Sequence, residues 1–60
     1  MLVETLIEHY GTPAETARAI GVDPSTISKW RERGGLVPLK AALKIVDLTR
    51  GELSLRLRDY

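Results

Sequence analysis

The chain contains no cysteine, so neither a disulfide nor a thiolate-bound metal can stabilise it. Its one histidine, His9, has no second histidine or cysteine with which to share a metal, and a histidine-based triad would rest on it alone. The plainer reading of His9 is a solvated or capping side chain. Apolar runs are far too short to span a bilayer, and Met1 is followed by Glu4 and Glu8 rather than by the basic start of a secretory signal. There is no repeat, low-complexity stretch or long linker. Gly34 and Gly35 lack the strand before and the Gly-Lys-Ser/Thr after that a phosphate loop requires, and read as a helix stop. These absences leave no residue set for catalysis. The expectation is a protein that is not an enzyme and uses no cofactor, metal, membrane or small-molecule substrate.

Sixty residues allow one domain, 1–60. A chain of this size buries about 60% of its unfolded surface, and about 3–9 kcal/mol of stability is expected of it. The net charge is only +1, but it is unevenly spread. Residues 1–17 hold Glu4, Glu8 and Glu15 and no lysine or arginine. Residues 18–44 hold Arg18, Lys29, Arg31, Arg33, Lys40 and Lys44 against Asp23 and Glu32. Such clustering is what a nucleic-acid footprint needs.

The first helix is read from Leu2, Val3, Leu6, Ile7 and Tyr10, an apolar stripe at helical spacing that Gly11 stops. A second begins at Thr12, an N-cap followed by Pro13 and by Glu15 at the capping-box position. A third begins at Asp23 with Pro24 behind it. Leu39, Ala42, Leu43 and Val46 mark one face of a fourth, widened by Ile45 and Leu48. In the tail, Leu53, Leu55 and Leu57 alternate with polar residues as in a strand. Leu53 and Leu57 are also four apart, and Ser54 can cap a last short helix. A lone strand would need a second copy as partner; a short helix or turn is preferred.

Between Thr12 and Arg33 the pattern is two short helices joined by one tight turn. Ala14, Ala17, Ile20, Val22, Ile27 and Trp30 fall where such a pair packs, and Gly21 falls at the bend. This is a helix-turn-helix, whose second member enters a DNA major groove. Its outward N-terminal residues, Ser25, Thr26, Ser28 and Lys29, are the expected base contacts, with Pro24 at the tip offering only apolar contact. Expected phosphate contacts are Thr12, Arg31, Arg33 and Lys40. Trp30 lies on the inward side and is expected in the core rather than stacked on bases.

The stretch YGTPAETARAIGVDPSTISKW resembles the Cro-like repressors of lambdoid and related bacteriophages, and their antitoxin-like bacterial relatives. Val37-Pro38, opening a fourth helix, is similar as well. The resemblance implies an all-α bundle of about five short helices, although some relatives end in strands. It implies a repressor in the cytoplasm of a bacterial host, binding its operator as a dimer. It places base reading on Pro24, Ser25, Ser28 and Lys29, with Thr26 beside them. Pro24 departs from the polar base reader of several relatives. The reading is therefore a sequence-specific repressor of double-stranded DNA. Its homodimer is expected to be weak without DNA and to meet through Leu53, Leu55 and Leu57. The alternatives are a DNA-binding antitoxin and a helical module that binds only protein.

Overall fold

Four helices follow one another along the described residues, 1–55: α1 (Val3–Tyr10), α2 (Pro13–Ile20), α3 (Pro24–Glu32) and α4 (Leu39–Leu48). The structure is a computed structural model. The all-α expectation holds, with four helices rather than about five among the described residues. Leu57 and the rest of 56–60 lie outside them.

Two helix starts form as their sequences require. The Thr12 hydroxyl accepts from the Glu15 amide at 3.1 Å, and Asp23 Oδ1 accepts from the Ser25 amide at 3.1 Å. Each satisfies an orphan donor of the first turn, and Pro13 and Pro24 have no amide to leave unpaired. The end of α2 turns on Gly21, at φ 75°, which lets the Val22 amide return to the Ala17 carbonyl at 2.9 Å. The end of α3 repeats this through Gly34, with the Gly35 amide on the Trp30 carbonyl. After α4 the left-handed position falls to Arg50, at φ 53°, a conformation more costly for a side chain than for glycine.

The core gathers Val3 and Leu6 from α1, Ala17 and Ile20 from α2, Ile27 from α3, Val37 from the connection, and Ala42 and Ile45 from α4, with Met1 and Leu53. Helices α1, α2 and α3 pack mutually. Thr16 is the buried polar residue among the described residues, and its hydroxyl donates to the Thr12 carbonyl at 2.8 Å. Trp30 is half-buried against the core, as its spacing requires.

Three apolar expectations are corrected. Leu2 is exposed because it sits in an extended bridge opposite Leu36, where alternate residues face opposite ways. Met1 and Val3 point inward in its place, and the Val3 and Val37 amides tie the two segments through Gly35 and Met1 carbonyls, both at 2.9 Å. On α4 the buried line is Ala42 and Ile45, so Leu39 and Leu43 fall on a flank and stay about half exposed.

The third correction is Leu53, expected on a dimer contact but only 7% exposed and part of the core. The turn through Arg50 and Gly51 carries the chain back. There the Leu53 amide donates to the Thr49 hydroxyl at 3.3 Å, and that hydroxyl donates to the Ile45 carbonyl at 2.9 Å. Glu52 then meets His9 at 3.6 Å. Leu55 is half-buried against the same core. This packing within one chain takes up the apolar surface of Leu53 and part of that of Leu55.

Candidate nucleic-acid interface

Helix α3 is held by one side and presents the other. Ile27 is fully buried and Trp30 half-buried, whereas Ser25, Ser28, Lys29 and Glu32 are exposed. These four recur at spacings of three and four, so they share one face opposite the buried side chains. Ser25, Ser28 and Lys29 are thereby brought together as expected. Pro24 is exposed at the tip. Thr26 is half-buried, turned toward the flank of the helix rather than to the centre of its outward face.

Asp23 and Ser25 form a small closed unit at the start of α3. Ser25 gives both its amide and its hydroxyl to Asp23 Oδ1, the latter at 3.0 Å. The serine proton is thus engaged, and its oxygen remains available as an acceptor. The Ser25 amide first, then the Ser25 hydroxyl, hold the Asp23 carboxyl below its ordinary pKa, and the charge of Lys29 adds to this. A lowered folded-state pKa contributes stability above the unfolded value, about 3.9, and that contribution disappears as pH falls through the folded one. Asp23→Asn, which still caps but does not titrate there, is expected to lose less stability than the wild type between about pH 5 and pH 2. Asp23→Ala is expected to melt lower at neutral pH. Thermal melts across pH check both, and parallel wild-type and Asn curves would rule out the carboxylate's role.

The four expected phosphate contacts are all exposed, spread over α2, α3 and α4 and their caps. Thr12 caps α2; its hydroxyl accepts from Glu15, leaving its proton free to donate. Arg33 is the C-cap of α3, and Lys40 lies in the first turn of α4. Arg31 is engaged elsewhere, its Nε 3.2 Å from the Glu4 Oε1 of α1. No local pattern announces that pair, because its partners are distant in sequence and meet only once α1 crosses α3.

Known proteins share this chain's sequence pattern. A family model described as DNA-binding transcriptional regulator Cro matches residues 3–59. This chain belongs to the Cro family. A regulatory protein cro of Salmonella phage P22 is 30% identical over 60 residues, covering all of this chain and 93% of that protein. A regulatory protein cro of Pseudomonas phage D3 is 44% identical over 41 residues, 67% of this chain and 56% of that one. No solved structure matches the chain. The Cro-family chain is thus a phage-type DNA-binding transcriptional regulator, and no helix among its described residues is long and apolar enough to cross a membrane.

Proposed function

We propose that this Cro-family chain is a sequence-specific repressor that places α3 in the major groove of double-stranded DNA, two copies binding one near-palindromic operator. The observation that carries the reading is the two-sidedness of α3: Ile27 and Trp30 anchor it, while Ser25, Ser28 and Lys29 face outward with hydroxyl and ammonium groups. Lysine donates to guanine O6 and N7, and serine suits any base edge. Thr12, Arg33 and Lys40 supply donors to flanking phosphates.

Size supports two copies. The described residues extend 25 × 24 × 18 Å. Successive major-groove faces of one duplex lie about 34 Å apart, so one chain covers one half-site. With Leu53 in the core, Leu55 and Leu57 remain of the tail residues expected between the copies.

Selection of bound duplexes from a random pool tests the reading. An inverted repeat with half-sites one helical turn apart is the expected product. A pool that emerges without any shared sequence would overturn it.

The Glu4–Arg31 pair adds a prediction. Both side chains are at least half exposed, so the pair contributes at most about 1 kcal/mol to stability. It holds the guanidinium on α1. Glu4→Gln is expected to leave the fold intact and to tighten binding to every duplex, with the log–log salt slope steeper by about 0.9 as one more phosphate is neutralised. Titrations at several salt concentrations check this; an unchanged slope would take Arg31 off the phosphate footprint.

A further inference from the structure

One residue on the outward face of α3 is ill suited to an anionic groove. Glu32 lies four residues after Ser28, three after Lys29 and seven after Ser25, so it shares their face. It is exposed and lines an open hollow with Ser28 and Arg31. Nothing among the described residues uses its carboxylate. Glu4 meets Arg31 and Glu52 meets His9, whereas Glu32 has no hydrogen bond or ion pair among the described residues. Its position is also unfavourable to the helix. Glu32 is the last residue of α3, where the helix dipole disfavours an anion.

A carboxylate carried into the major groove loses water, approaches phosphates and accepts hydrogen bonds only. The base-edge donors there are the amines at cytosine N4 and adenine N6. Adenine sets the N7 acceptor beside its amine, which repels a carboxylate; cytosine carries no acceptor on its own groove edge. We propose that Glu32 is a specificity-determining residue that accepts a hydrogen bond from the N4 amine of an operator cytosine and disfavours the other bases at that position. Three helical residues rise about 4.5 Å and stacked base pairs about 3.4 Å, so this cytosine lies within about two base pairs of the base met by Lys29. The inference rests on the groove-helix reading of α3.

The test uses the full chain and the duplex recovered from the random pool, with each position varied through all four bases. Wild type, Glu32→Ala and Glu32→Gln are titrated by fluorescence anisotropy at one salt concentration. The wild type is expected to prefer cytosine at one position by about tenfold. Glu32→Ala should lose that preference and keep the others. Glu32→Gln should shift it toward adenine, whose N6 and N7 an amide matches. If Glu32→Ala binds every duplex more tightly and keeps every preference, Glu32 is only a repelling charge and the proposal fails. If the wild type itself selects no sequence, the groove-helix reading fails and takes this one with it; the wild-type titration tells the two failures apart.

Discussion

Replacing Ile27 with alanine is expected to lower stability by about 2–5 kcal/mol, out of about 3–9 kcal/mol for a chain of this length. Ile27 is fully buried, and it is the residue of α3 that enters the core. That helix packs on both α1 and α2, so truncation opens a cavity where three helices meet. A domain of this size shifts its melting point by roughly 4–8 °C per kcal/mol. The variant should therefore melt at least about 8 °C lower on the same scale, and part of it should be unfolded at room temperature. Ile27→Val, which removes one methylene, should cost about 0.5–1.5 kcal/mol. Duplex binding should fall for Ile27→Ala in proportion to the folded fraction, and return when temperature is lowered toward the stability maximum. Thermal and urea unfolding check this. An alanine variant melting within a few degrees of the wild type would mean that Ile27 does not secure α3.

The contrast between what could be read from the residues and what could not follows range of interaction. Thr12, Asp23, Pro13, Pro24 and Gly21 act within one turn, and the structure shows the caps and the turn that these residue types require. The outward face of α3 was legible for the same reason, since helical spacing separates Ser25, Ser28 and Lys29 from Ile27 and Trp30 without knowledge of any neighbour. Contacts between distant segments were not. The Leu2–Leu36 bridge turns Leu2 outward and Met1 inward, and no periodicity in α1 announces it. On α4, five leucine, isoleucine and valine positions compete for one buried line, and the core takes Ile45 together with Ala42. Leu53 reads as surplus apolar surface until the turn through Arg50 and Gly51 folds it onto the core. Arg31 reads as a free cation until α1 brings Glu4 beside it.

That last pairing raises the weight on Lys29. Lys29 is exposed on the same face as Ser25 and Ser28, and among the described residues no carboxylate forms an ion pair with it. Lys29→Ala is expected to weaken binding to the selected operator by about 1–3 kcal/mol, or roughly five- to 150-fold. An exposed substitution of this kind should change stability by about 0.5 kcal/mol or less, so the loss belongs to the interface rather than to the fold. If the ammonium reads guanine O6 and N7, the loss should concentrate on one base pair, and the variant should accept other bases there. Lys29→Arg should then keep the guanine preference, because a guanidinium reaches both acceptors. If the ammonium meets phosphate instead, every duplex should weaken alike and the salt slope should become shallower by about 0.9. Titrations against the permuted operator at several salt concentrations separate the two. A variant binding like the wild type on all of them would show that the outward face of α3 does not meet DNA, because the ammonium at its centre cannot enter a groove between two phosphate chains without effect.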